Sequence, residues 1–332
     1  MRRRNRSTLL VALVLVIALA VVVILRQKSP PEAARLLPES DAILYMQFKT
    51  LRAVTHFDAS PVKRSPDFQK FIDATGIVPE RDLDEAAFAL HRMPDPKGPN
   101  GPVAYSEVFV GRFDGQRLNS YLAGIASAHE TYAGHEIYSI PIEGRTLRVT
   151  QLGYDTVAAS NMPTAEQIHS ILDRSRASAL SSPGSSLLAA RYSEVPRLPL
   201  PPQAWGIGHI GLPFSQNGHI SILGLELPLR EDTDLVASLR YSGSIHLRVD
   251  EIAPDAATAE RTVETLTALL SVLRGLGSVE PPHSPADAAL REILGSAKLE
   301  QHKTHAELDA YASPDQLKAL ASQAANPVTP EP

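Results

Sequence analysis

Leu235-Val236-Ala237-Ser238-Leu239-Arg240-Tyr241-Ser242-Gly243-Ser244-Ile245-His246-Leu247-Arg248-Val249-Asp250-Glu251-Ile252 reads as two alternating strands joined at Ser242-Gly243. A period of two sends successive side chains to opposite faces, and the serine-glycine step turns the chain back on itself. The segment is therefore an antiparallel hairpin. The same adjacency recurs upstream, where residues 136–140, 146–152 and 156–160 read as three neighbouring strands. Runs of adjacent strands, interrupted by amphipathic helices, indicate an α+β fold with mostly antiparallel sheet and helices on one face.

Further strands are expected at residues 42–48, 86–90 and 103–111, and near 298–302 and 306–311. Helix starts are marked by caps. Ser65-Pro66 opens a helix that Gly76 ends, and Asp114 opens another with Leu118, Leu122 and Ile125 inward. Thr164-Ala165-Glu166-Gln167 has the form of a capping box, with Ile168, Ile171 and Leu172 behind it. Asp255 caps the longest soluble helix, which carries Val263, Leu266, Leu270 and Leu273 on one face and stops at Gly275 and Gly277. A short helix is expected over residues 287–294. Ser313-Pro314-Asp315-Gln316 opens the last one. Each half of the chain thus runs strand, helix, strands, capped helix, which predicts two similar sheet-plus-helix halves and an internal duplication.

This reading divides the chain into a basic cytoplasmic tail (1–8), a transmembrane anchor (9–25) and a tether (26–38). The first α+β half (39–194), a Pro/Gly-rich crossover (195–232), the second half (233–323) and a disordered tail (324–332) follow. The anchor is an uncharged apolar run from Leu9 to Leu25, preceded by Arg2, Arg3, Arg4 and Arg6 and followed by Arg26 and Lys28. That charge bias keeps the N-terminus cytoplasmic and sends the body across the membrane. Ala18-Leu19-Ala20 resembles a peptidase site, but Val21 to Leu25 continues the apolar run beyond it, so the anchor is read as uncleaved. The expected partner of residues 9–25 is the lipid bilayer.

The chain carries a net charge of −5, with 32 Lys+Arg against 37 Asp+Glu. Removing the six basic residues of the anchor segment leaves 26 against 37, or −11 for the body, which repels nucleic acid. There is no cysteine, so disulfides, thiol catalysis and lipoprotein acylation are excluded. The sequon Asn5-Arg6-Ser7 lies on the cytoplasmic side of the anchor. A disulfide-free body without sequons points to the bacterial periplasm, held at the cytoplasmic membrane.

Motifs that suggest chemistry fail on their surroundings. Gly206-x-Gly208-x-x-Gly211 matches the dinucleotide fingerprint, but prolines precede it and Pro213 blocks the helix that a pyrophosphate needs. A glycine-interleaved strand with Trp205, Ile207 and His209 on one face is the better reading. Ser60-x-x-Lys63, Ser215-x-Asn217 and Lys303-Thr304 follow the order of the serine penicillin-binding proteins, yet His305 stands where that family needs a small residue. The histidine pairs lack a converging third ligand. The turn carboxylates, such as Asp82, Asp84 and Glu85, lack calcium-loop spacing. No catalytic residue, cofactor site or metal site is assigned.

Residues 195–214 stand apart. Their prolines favour an extended path from which Leu198, Leu200, Trp205 and Phe214 are candidates to contact a partner. The competing reading is a crossover that packs these side chains into both halves. Leu36-Leu37-Pro38-Glu39-Ser40-Asp41-Ala42-Ile43-Leu44-Tyr45, directly after the tether, resembles the corresponding start in uncharacterised single-pass, membrane-anchored bacterial envelope proteins. The resemblance implies location and supplies no functional residues. The sequence therefore predicts a non-enzymatic periplasmic protein that binds an envelope protein partner or scaffolds an assembly. The alternatives are an envelope hydrolase using Ser60 or a carboxylate pair, and a carrier whose apolar ligand sits in an enclosed cavity between the halves.

Overall fold

A computed structural model describes residues 29–59, 64–177, 184–197, 200–209, 215–216, 219–222, 225–228, 233–279, 282 and 284–325. The predicted cytoplasmic tail and anchor lie outside them. Among the described residues no helix is long and apolar enough to cross a membrane.

Twelve strands form one sheet. In chain order they are β1 (Ala42–Gln47), β2 (Leu83–Arg92), β3 (Val103–Gly111), β4 (Ala128–Tyr132), β5 (His135–Ile142), β6 (Arg145–Gln151), β7 (Thr156–Ser160) and β8 (Ala204–His209), then β12 (Asp234–Tyr241), β13 (Ile245–Ile252), β14 (Lys298–His302) and β15 (His305–Ala312). Between β8 and β12 a separate three-stranded sheet holds β9 (Ser215–Gln216), β10 (His219–Ile222) and β11 (Leu225–Pro228). The helices are α1 (Glu32–Leu36), α2 (Phe48–Thr55), α3 (Pro66–Thr75), α4 (Pro79–Asp82), α5 (Gly115–Ile125), α6 (Glu166–Arg176), α7 (Ser186–Arg191), α8 (Ala256–Val279), α9 (Pro285–Ser296) and α10 (Pro314–Ala325).

The large sheet runs β14-β15-β13-β12-β8-β1-β2-β3-β7-β6-β5-β4, with every neighbour antiparallel. Outward from its middle the order is β8, β12, β13, β15, β14 in one direction and β1, β2, β3, β7, β6 in the other. In each arm the third strand leads into helix, and a hairpin then returns to pair with that strand. A further helix, α6 or α10, follows the hairpin. The β4–β5 hairpin extends only the first arm. The arms meet through β1 and β8, with Leu44 opposite Gly206 at the centre of the register. Two separate sheets were expected; one continuous sheet is found, because β8 closes the free edge of β1 that a separate first half would expose.

Helices cover both faces rather than one. Face one carries Ile43, Tyr45, Ala87, Ala89, Val108, Trp205, Ile207 and Val236, and packs against α1, α6 and α7 through Ala33, Leu37, Ile168, Ile171, Leu172, Leu187 and Leu188. Face two is covered at its flanks. Leu118 and Leu122 of α5 and Phe71 of α3 pack on Ile140, Val149, Val157 and Ala159, while Ala259 and Val263 of α8 pack on Ala306.

Most caps act as read. The Phe68 amide donates to Ser65 Oγ at 3.3 Å, with Gly76 closing α3 at φ +76°. The Arg117 amide donates to Asp114 Oδ1 at 3.1 Å, and that of Thr258 to Asp255 Oδ1 at 2.7 Å. Ser313 and Gln316 form a reciprocal capping box at 3.2 and 2.6 Å. The Thr164 box does not form: Ala165 is the N-cap of α6 and no side chain caps it. Gly275 and Gly277 do not stop α8, which continues to Val279. A glycine in a helix costs only about 1 kcal/mol and does not terminate it unaided. The strand β4 carries five mostly exposed residues, so it has no apolar alternation to find.

Candidate functional site

Among the described residues no helix covers face two at the seam between the arms. Strand alternation brings Ala42, Leu44 and Met46 of β1, Phe88 and Leu90 of β2, Tyr105 of β3, Gly206 and Gly208 of β8, and Leu235 and Ala237 of β12 to the same side. They line a groove of about 460 Å³, within the range of small-molecule sites. The helices of this face sit over its flanks, so Leu44 remains 39% exposed in the middle of the sheet. The two glycines differ in role. A Cβ at Gly208 would stand 2.5 Å from Ala42 Cβ, so that strand approach requires glycine. A Cβ at Gly206 would meet nothing closer than the Ile43 carbonyl oxygen at 3.6 Å, so its missing side chain simply leaves the groove floor open.

The groove is open rather than the enclosed cavity that a sealed carrier requires. Its walls are aliphatic and aromatic, and among the described lining residues Tyr105 is the one with a polar side-chain tip that alternation directs to this face. His209 contributes from β8, but alternation puts its ring on face one. There its Nδ1 stands 2.5 Å from Asp234 Oδ1, off the line of a hydrogen bond, while Arg191 Nε donates to Asp234 Oδ2 at 2.5 Å. This is an ionic clamp and lacks the alignment of a proton relay. Each flank of the groove has a carboxylate across the ladder from a lining residue: Glu251 opposite Leu235 on one side and Glu107 on the other. Glu107 lies on β3 directly opposite Phe88 and two residues from Tyr105, on the same face as both. Burial among these apolar neighbours pushes its carboxyl up.

A Ser–His contact exists elsewhere and is sealed. His91 Nε2 lies 2.9 Å from Ser106 Oγ, which lies 3.1 Å from Ser160 Oγ. Ser106 is fully buried and His91 and Ser160 nearly so, and burial pushes the His91 imidazole down. A nucleophile must meet its substrate, so this chain of hydroxyls satisfies core polar groups.

The second arm presents an ionic layer on face one. Arg248 donates to Asp250 Oδ2 at 2.8 Å and lies 2.6 Å from Glu307 Oε1; His246 Nε2 lies 2.6 Å from Asp309 Oδ1 and stacks on Tyr311 at 4.4 Å. The residues are polar here because α10, the counterpart of α6, packs on α9. Burial, a hydrogen bond with Asp309 and the nearby Asp250 charge push the Glu307 carboxyl up to about 7, against the pull of Arg248. Among the described residues no three His, Asp or Glu side chains are arranged to hold a metal.

Of the candidate partner-contact residues, Leu200 and Trp205 are among the described ones. Trp205 is 3% exposed, stacked on Tyr45 at 5.3 Å with Tyr192 at 5.4 Å, so it is core and does not project. Leu200 is 61% exposed, and Leu198 and Phe214 lie outside the described residues. Ser60, Lys63 and Asn217 of the serine-enzyme pattern also lie outside them, and Lys303 occupies the β14–β15 turn at φ +58°. Gly206 and Gly208 sit within β8, with no helix opening on them. The glycine-interleaved strand is evident in the sequence; the groove is not, because it depends on β1, β2 and β12 lying beside that strand.

No protein-family model matches the chain, and none of the curated proteins does. Two crystal forms of TP0453, an envelope-associated protein of Treponema pallidum, are similar in layout. Form IV aligns with a TM-score of 0.48 and form III with 0.46, both at 12% identity over 89% of this chain and 98% and 99% of theirs. At such scores the likeness transfers no property to the present chain.

Proposed function

We propose that this is a non-enzymatic protein, tethered to the bacterial cytoplasmic membrane by residues 9–25, whose periplasmic body binds an apolar chain in the seam groove. The observation that carries this reading is the nearly unbroken apolar lining at the centre of face two. A polypeptide segment is a poorer fit than an alkyl chain. Its amides would need partners, and the strands beneath already spend theirs on the ladder. An alkyl chain needs none and gains about 0.8 kcal/mol per buried methylene. The open side of the groove suits a chain exchanged with a nearby bilayer. The mirrored strand order also supports descent of the two arms from one duplicated unit that once paired with itself through the equivalent of β1.

A test uses the full chain in phosphatidylcholine nanodiscs and a dodecyl probe bearing a diazirine. Irradiation is expected to label peptides of β1, β2, β8 and β12. Gly206→Leu fills the groove and is expected to abolish that labelling, while Gly206→Ala preserves it. Labelling spread evenly over the protein, or indifferent to Gly206→Leu, refutes the reading.

A further inference from the structure

We propose, resting on the groove reading above, that the groove's ligand is a single-chain amphiphile with a cationic amine head, and that Glu107 receives that head. Glu107 pairs directly with Phe88 and shares its strand face with Tyr105, and both of these line the groove. Directly opposed residues in a sheet stand with Cβ atoms about 5 Å apart, so the carboxylate is within reach of a ligand lying along Phe88.

Among the described residues Glu107 has no counter-charge. On the other side Glu107 faces Ala159, which belongs to the apolar cluster under α5. Among the described residues no side chain or amide donates to it, whereas Asp82, Asp84, Asp234 and Asp250 each have a cationic partner. An unpaired, half-buried carboxylate is costly, and burial alone accounts for the upward displacement of its carboxyl. A positive hydrogen-bond donor at this point removes that cost. The alkyl tail would then run along the glycine floor toward Leu235, whose cross-strand neighbour Glu251 has no cationic partner among the described residues. The body's charge of −11 draws cations to the site and disfavours anionic heads.

The experiment uses the full chain in phosphatidylcholine nanodiscs and three diazirine probes of equal chain length: dodecylamine, dodecanol and dodecanoate. The expected order of half-saturation is amine first, alcohol at least tenfold weaker and carboxylate weaker again, as a charge-assisted hydrogen bond predicts. Glu107→Gln is expected to bring the amine to the level of the alcohol while leaving the alcohol unchanged. Glu107→Asp, which keeps the charge, is expected to retain a preference for the amine. Urea midpoints of both variants check that the fold persists. Equal labelling by amine and alcohol in the wild type, or an amine response unchanged by Glu107→Gln, overturns the assignment of Glu107 and leaves the groove reading standing. Absence of groove labelling by all three probes removes the groove reading itself.

Discussion

Replacing Glu307 by Gln should make the protein less sensitive to pH in the neutral range. In the wild type, burial and the neighbouring Asp309 and Asp250 hold the carboxyl at about 7, against an ordinary glutamate value of 4.5. A carboxyl raised in the folded state binds its proton more tightly there than in the unfolded chain. Its favourable contribution is present below pH 4.5 and drains away as pH rises toward 7. The gap corresponds to about 3 kcal/mol as a ceiling at roughly 1.36 kcal/mol per pH unit, of which about 2 to 3 falls between pH 5 and 8. The side chain is 10% exposed, so solvent screening removes little of it. Glutamine keeps the shape and a hydrogen bond toward Asp309 without the negative charge. Arg248 retains Asp250 as its partner at 2.8 Å. Urea unfolding followed by circular dichroism at pH 5, 6.5 and 8 measures the effect. Wild type is expected to lose about 2 kcal/mol more than Glu307→Gln from pH 5 to 8. Identical pH slopes for the two proteins, or a variant destabilised at pH 8 by as much as at pH 5, would refute the reasoning.

Three further outcomes follow from the packing. Gly208→Ala should destabilise by about 1–3 kcal/mol through overpacking, because its Cβ would meet Ala42 Cβ at 2.5 Å; Gly206→Ala, with 3.6 Å of clearance, should be close to neutral in the same urea titration. Trp205→Ala should cost about 3–5 kcal/mol, since the ring is 3% exposed between Tyr45 and Tyr192; a loss below 1 kcal/mol would place the ring at the surface after all. Asp82→Asn should destabilise at neutral pH. Burial opposes the charge of Asp82, but hydrogen bonds from Arg81 and the Val78 amide and the nearby Arg112 charge outweigh it and hold the carboxyl below 3.8. The wild-type advantage is present above that value and fades as pH falls through the lowered one, so acid melts of the two proteins should converge.

Local elements were legible because their causes are local. The hairpin of β12 and β13 needed only alternation and Ser242-Gly243, and the caps at Ser65, Asp114, Asp255 and Ser313 needed only a side chain within three residues of the amides it serves. Where a pattern failed, a competing local term decided: α6 begins after Ala165 despite the Thr164 box, and α8 outlasts two glycines. A repeated order of elements was visible along the chain, whereas the joining of all the long strands into one sheet was not. Trp205 drew notice as an apolar ring in a proline-rich stretch. Its burial depends on Tyr45, 160 residues away, and no window of sequence contains both.

The residue order alone determined the α+β class, the antiparallel pairing of adjacent strands and the negative charge of the body, since each depends on neighbours along the chain or on a sum over it. Tertiary structure decided that two arms share one sheet, that Trp205 is buried in the core while Gly206 floors the groove, and that Glu107 stands beside Phe88 with no counter-charge among the described residues. These are outcomes of pairing between distant strands. A shift of one residue in the β1–β8 register would have turned the glycines into the core and the tryptophan into the groove.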